Sequence, residues 1–355
     1  MIADWVAWSA FGSGLFVAGW WSGRRNLKRR LSERSRVFGE QYRQGLGYLI
    51  QNKTDRALDI FLDQLEVSSD SLELYLALGG LYRRNGEVDR AIRLHQGLLD
   101  ESVLAKGLLT RAQWQNIHLA LAEDYLAAGL LDRAEQVLSD LLQDERDLSA
   151  ELQERALRHL QNLYEQEKEW QHAISVAESL LKLGVAGIPS VLAHYRCELA
   201  ELAKADGRTD DAERHYLSAL RLDGESIRAC YGLGVLAFDG QNFRRALKFL
   251  QRLETSNLAY FSDVLSMMKA SYQALDREEA YGQYLEGLAA DLPQRMDLSQ
   301  PANSEKSELA WQQRIEAIFA KKAHYKCQHC GFEGQSVYWN CPSCQQWGSL
   351  KSHLV

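Results

Sequence analysis

Between residues 38 and 290 apolar positions recur at helical spacing, and one local arrangement keeps returning. A short polar run leads into an alanine, which in most cases is followed four residues later by a larger side chain. The stretches are "NKTDRALDIF", "GEVDRAIRLH", "GLLDRAEQVL", "KEWQHAISVA", "GRTDDAERHY", "QNFRRALKFL" and "REEAYGQY". Their alanines are Ala57, Ala91, Ala134, Ala173, Ala212, Ala246 and Ala280, at spacings of 34, 43, 39, 39, 34 and 34. About nine residues earlier stands Tyr48, Tyr82, Tyr125, Tyr164, Ala203 or Ala237. Four residues before that stands a leucine in most units (Leu78, Leu121, Leu160, Leu199, Leu233), often followed by a small residue such as Gly79, Ala122, Ala200 or Gly234. The pattern predicts antiparallel helix pairs. The alanine sits where the two helices touch, leucine and tyrosine fill the seam, and Asn85-Gly86 or Gly129 reverses the chain.

These units resemble the tetratricopeptide repeat, a 34-residue helix–turn–helix, repeated about seven times over residues 38–290. The spacings above 34 predict lengthened helices or loops between Ala91 and Ala212. The expected fold is all-α: an α-solenoid with a concave face for partner proteins. Aligning the units places Arg83, Glu123, Lys204, Tyr231 and Phe238 at first-helix positions that face such a groove. Their mixed charges do not suit a polyanion. Cys197 and Cys230 fall singly on first helices and are expected in the core.

The chain opens differently. Residues 5–21 carry no charge, with Trp5, Trp8, Trp20 and Trp21 near the ends of the run. Arg24, Arg25, Lys28, Arg29 and Arg30 follow at once. With its charges after the apolar run, the segment predicts an uncleaved transmembrane signal anchor over residues 1–21 and a basic juxtamembrane segment over 22–37. The bulk of the chain then lies on the cytoplasmic side. Ala10, Gly14 and Ala18 recur at four-residue spacing and are a candidate contact face within the membrane.

The far end is different again. Residues 291–323 read as a proline-bearing loop and a connecting helix, and 324–355 as a metal knuckle. Cys327-x-x-Cys330 and Cys341-x-x-Cys344 are spaced to aim four sulfurs at one ion. All four positions of a tetrahedral shell are then filled by protein, which points to a structural role. Tyr325, Phe332, Tyr338, Trp339 and Trp347 are the residues available to cover the metal. The knuckle is expected to pack on the last repeats. It resembles a shortened rubredoxin knuckle or zinc ribbon. Rubredoxins carry iron and move electrons, but their cysteine pairs lie further apart. Zinc is therefore favoured, and iron stays open.

A net charge of −7 over 355 residues argues against general nucleic-acid binding, though a local basic patch stays open. Clustered rather than scattered cysteines argue against a disulfide framework. No metalloprotease, phosphate-loop or serine-hydrolase motif occurs, so no catalytic residue is assigned and no enzyme is expected.

Anchor, basic stop, repeats and the end "CQHCGFEGQSVYWNCPSCQQWGSL" together resemble the lipopolysaccharide assembly protein B family of Gram-negative bacteria along the whole chain. The resemblance implies a single-pass inner-membrane protein. It implies an adaptor for a membrane-anchored FtsH-type AAA+ protease, with the deacetylase that commits precursor to lipid A synthesis as client. A membrane sensor and other lipopolysaccharide assembly proteins are further implied partners, and self-association into a homo-oligomer stays open. The alternative is a membrane scaffold for lipopolysaccharide biosynthetic or transport enzymes that directs no proteolysis.

Overall fold

A computed structural model describes residues 69–100, 109–143, 148–253, 261–291, 324–335 and 338–353, with isolated positions between 43 and 60. The expected anchor, its face of Ala10, Gly14 and Ala18, the basic segment 22–37 and, Asp291 apart, the loop and helix expected over 291–323 lie outside the described residues. Among the described residues, no helix is long and apolar enough to cross a membrane.

Two compact units divide the chain, Met1–His159 and Leu160–Val355. The first holds α1 (Ser69–Arg84), α2 (Val88–Leu98), α3 (Arg111–Ala127), α4 (Leu131–Gln143) and the start of α5 (Ala150–Glu167). The second holds the end of α5, then α6 (Trp170–Lys182), α7 (Ile188–Ala205), α8 (Thr209–Leu222), α9 (Ile227–Asp239), α10 (Phe243–Leu250), α11 (Phe261–Ala274) and α12 (Glu278–Asp291). Three short strands follow: β1 (His324–Cys327), β2 (Glu333–Gly334) and β3 (Leu350–His353).

The recurrent alanines sit where helices meet. Ala57, Ala91, Ala134, Ala173, Ala212 and Ala246 are fully buried, and Ala280 is half-buried. The small residues one turn up the first helices are equally constrained. A β-carbon on Gly79 would lie 2.2 Å from His95 Nε2, and one on Gly234 would lie 2.4 Å from Leu250 Cδ2. Leu78, Tyr82, Ala91, Leu94 and Leu98 form one core with Ile117 in the first unit. Cys197, Tyr216 and Leu233 share another in the second, and Cys230 sits in a third. Both single cysteines are thus buried hydrophobes, and burial pushes the Cys197 thiol up to about 12.

Each hairpin closes by one device. Just past the end of the first helix one residue is left-handed, and the next amide reaches back to a carbonyl in the last helical turn. Gly86 (φ 81°), Gly129 (φ 72°) and Gly207 (φ 75°) fill this position in three pairs. Lys168 (φ 59°), Gln241 (φ 56°) and Asp276 (φ 54°) fill it in the others. The returning bonds match: Glu87 N to Tyr82 O at 2.9 Å, Arg208 N to Ala203 O at 2.8 Å and Asn242 N to Ala237 O at 2.8 Å.

The long spacings reside partly in the first helices. α5 and α7 each run 18 residues, against 13 for α9. The 43-residue step is taken up by the chain between Leu98 and Arg111 and by the 17 residues of α3.

The all-α expectation needs one correction. The knuckle is a three-stranded antiparallel sheet in the order β2-β1-β3, with Tyr325 opposite both Gly334 and Ser352. Two turns can meet over one ion only if the chain between them runs out and returns, and paired strands hold that path at little cost in residues.

Candidate metal centre

Cys327 ends β1, and Cys330 closes the tight turn that follows. Gly331 is left-handed at φ 77°, which turns the chain back so that Cys327 N donates to Phe332 O at 2.8 Å. The second turn repeats the geometry with Gln345 in Gly331's place, at φ 57°. There Cys341 N donates to Gln346 O at 3.1 Å, and Gln345 N to Cys341 O at 2.8 Å.

The four sulfurs lie within 4.8 Å of one another. Cys327 Sγ is 3.7 Å from Cys344 Sγ, and Cys330 Sγ is 3.7 Å from Cys341 Sγ. Four thiolates at ~2.3 Å from one ion sit about 3.8 Å apart, so the donor set fits a tetrahedral metal. Cys327 and Cys341 are buried, Cys344 is half-buried and Cys330 is exposed. The Ser349 hydroxyl stands 3.2 Å from Cys327 Sγ, and the amides of His329 and Cys330 donate to it at 3.4 and 3.5 Å. These polar contacts, Ser349 first, lower the Cys327 thiol to about 5.

Tyr325 is buried with Leu350 in the knuckle's own core, and Phe332 packs against it. The two tryptophans do something else. Trp347 leaves the metal and enters the repeats. Its ring stacks on His194 (5.1 Å between centroids) and meets Tyr195 and Trp170 edge-on at 5.8 and 6.1 Å. Trp347 Nε1 donates to Glu165 Oε1 at 3.1 Å. The same carboxylate accepts from the Tyr195 hydroxyl and from Gln161 Nε2 at 3.3 Å. Burial raises the Glu165 pKa, against the pull of hydrogen bonds from Tyr195, Trp347, Gln161 and Asn340. Trp339 lies 6.1 Å from the His194 ring and carries the Arg228 guanidinium at 5.7 Å over its face. Arg228 is anchored in turn by Glu198 at 2.8 Å.

The knuckle therefore docks on α5, α6, α7 and α9, in the middle of the repeats. The expectation of packing on the last repeats is corrected. The contacts that set this seat are the rings of Trp170, His194 and Tyr195 around Trp347 and the Glu165 carboxylate that accepts its N–H.

The residue ranges now carry names. The rubredoxin metal binding domain family matches residues 325–352, and the tetratricopeptide repeat family matches 74–109. Over 383 aligned residues the chain is 30% identical to lipopolysaccharide assembly protein B of Escherichia coli K12, with 94% of each chain covered. The chain belongs to the lipopolysaccharide assembly protein B family. The relative of that name from Haemophilus influenzae is 29% identical over 401 residues, again with 94% of each chain covered.

For this member of the lipopolysaccharide assembly protein B family, the sequence-assigned ligands Cys327, Cys330, Cys341 and Cys344 come together as one metal site. The groove residues fall as follows. Arg83 and Glu123 are half-buried and paired with each other at 2.6 Å. Lys204 is half-buried near the end of α7. Tyr231 and Phe238 are half-buried against the core of α9–α12, with Phe238 edge-on to Phe243 at 5.8 Å. Sequence reasoning missed Glu165, Trp170, His194 and Tyr195, which share no spacing with the cysteines. It also missed a buried charge network in the first unit. There His95 Nδ1 meets Asp124 Oδ2, both fully buried, and Arg83 bonds Asp124 at 2.5 Å. Glu123 also takes Arg155 at 3.0 Å and His159 at 3.2 Å.

Proposed function

We propose that this chain is a non-enzymatic inner-membrane adaptor in lipopolysaccharide assembly. In this reading it delivers the deacetylase that commits precursor to lipid A synthesis to a membrane-anchored FtsH-type AAA+ protease. The observation that carries the reading is end-to-end similarity to lipopolysaccharide assembly protein B, from repeats to knuckle. Helix pairs of this type bind proteins through side-chain surfaces and need no reacting group. The apolar run of residues 5–21 supports a single span with the repeats on the cytoplasmic side. Tethering holds a captured client in the plane where the protease works, which raises its effective concentration without any new contact.

The metal assigned to the knuckle is zinc, bound by Cys327, Cys330, Cys341 and Cys344. A filled thiolate shell supplies a structural cross-link and no open coordination position. In this reading the membrane face of Ala10, Gly14 and Ala18 meets the protease or a membrane sensor, and other lipopolysaccharide assembly proteins are further partners.

Pulse-chase of the deacetylase tests the reading. Deletion of the chain should lengthen its half-life several-fold. An unchanged half-life would instead favour a scaffold that assembles enzymes without directing proteolysis. Exchanging residues 1–21 for an unrelated transmembrane helix separates tethering from recognition. Loss of turnover control places recognition in the segment, and full control leaves tethering alone.

A further inference from the structure

We propose that Trp347 and Glu165 are positioning residues for the metal centre, so that metal retention and docking of the knuckle on the repeats are one coupled equilibrium. The inference rests on the metal site and stands apart from the adaptor reading. Its first support is the poverty of the knuckle's core. Tyr325, Cys327, Cys341 and Leu350 are its buried cluster, and two of these are ligands. A core this small does not hold a fold by itself; metal binding supplies the folding free energy.

The second support is connectivity. Trp347 stands three residues beyond Cys344, and Trp339 two residues before Cys341. Asn340 bridges to Trp347, and Gly348 N donates to Trp339 O at 2.7 Å. The second metal turn thus fixes the spacing of both indoles. Gly348 also lets the loop sit on the repeats, since a β-carbon there would stand 3.3 Å from His194 Nε2.

The third support is the receiving site. Glu165 lies 182 residues away in sequence and is half-buried, and its oxygen accepts the Trp347 N–H. Loss of that donor removes one of the hydrogen bonds that offset the carboxylate's partial desolvation. The repeats therefore favour the one knuckle geometry that delivers the indole. By linkage, whatever metal binding adds to docking, docking adds to metal binding. Outer groups that orient metal ligands commonly change affinity 10–100-fold when removed.

The test uses the full chain in detergent, loaded with zinc, in competition with a chromophoric chelator. Trp347→Ala is expected to weaken zinc binding about tenfold or more, although no ligand is touched. Glu165→Gln, which keeps the side chain's shape, is expected to shift it in the same direction by less. Hydrogen exchange provides the reverse arm. Stripping the zinc should speed exchange of amides in residues 161–171 and 192–197 while those of α1 and α2 keep their protection. That contrast, with far-UV circular dichroism of each variant, separates undocking from unfolding. Equal zinc affinity in wild type and Trp347→Ala would overturn the proposal, as would unchanged protection of residues 192–197 after zinc removal.

Discussion

At the scale of single residues, backbone sign is a recurring constraint. Lys168, Gln241, Asp276 and Gln345 hold left-handed conformations that Gly86, Gly129, Gly207 and Gly331 adopt freely at equivalent places. An L residue loses roughly 1–2 kcal/mol there. Lys168→Gly, Gln241→Gly and Gln345→Gly should each recover about 1 kcal/mol, less the entropy glycine brings to the unfolded chain. Denaturant midpoints measure the gain, and Gly207→Ala should move the opposite way. A second residue-scale effect concerns pH. Burial, and then the Arg228 charge, lower the His194 pKa from 6.5 to about 4, against an opposing pull from Asp223. The fold accepts the neutral imidazole, so its stabilisation is complete above pH 6.5 and is lost as pH falls from 6.5 towards 4. Glu165, with its pKa raised, acts in the reverse sense. Comparing acid unfolding of wild type with His194→Gln isolates the histidine, and the variant should lose less stability across that window.

At the scale of elements, α1, α2 and α3 are joined by charge as well as by apolar packing. Asp124 is fully buried and shared between His95 and Arg83. Removing it leaves two donors without their acceptor, so Asp124→Ala should cost about 3–5 kcal/mol, read from the unfolding of the first unit. None of this was legible in the sequence, because residues 29 and 41 positions apart carry no shared period. The alanine contacts were legible for the opposite reason. Close approach of two helices demands a small side chain at one place in every unit, and repetition turns that demand into a pattern. The cysteine spacing was legible too, since a tight turn fixes it locally. The strands of the knuckle are two to four residues long, too short for alternation to register. The hairpin turns at Lys168 and Gln241 escaped notice because neither residue type signals a left-handed bend. The sequence offers Trp339 and Trp347 as a cover for the metal, and their seat on α5, α6, α7 and α9 is set by tertiary packing alone.

At the scale of the whole molecule, the knuckle closes on repeats that lie well before it in the chain, and four cysteines would fill a tetrahedral shell. In the proposed function a metal held by the four cysteines is a clasp, and binding is assigned to surfaces that the clasp holds in place. Loss of any one ligand should undo the docked knuckle while the anchor still inserts. Cys341→Ser should therefore lose its zinc by elemental analysis and remain in the membrane fraction. The most direct test of the adaptor reading is the half-life of the lipid A-committing deacetylase in cells carrying wild type, Cys341→Ser or no copy of the chain. The account predicts rapid turnover with wild type and equally slow turnover in the other two. Wild-type turnover in cells with no copy would contradict the adaptor role itself, and wild-type turnover with metal-free Cys341→Ser would contradict the part assigned to the metal.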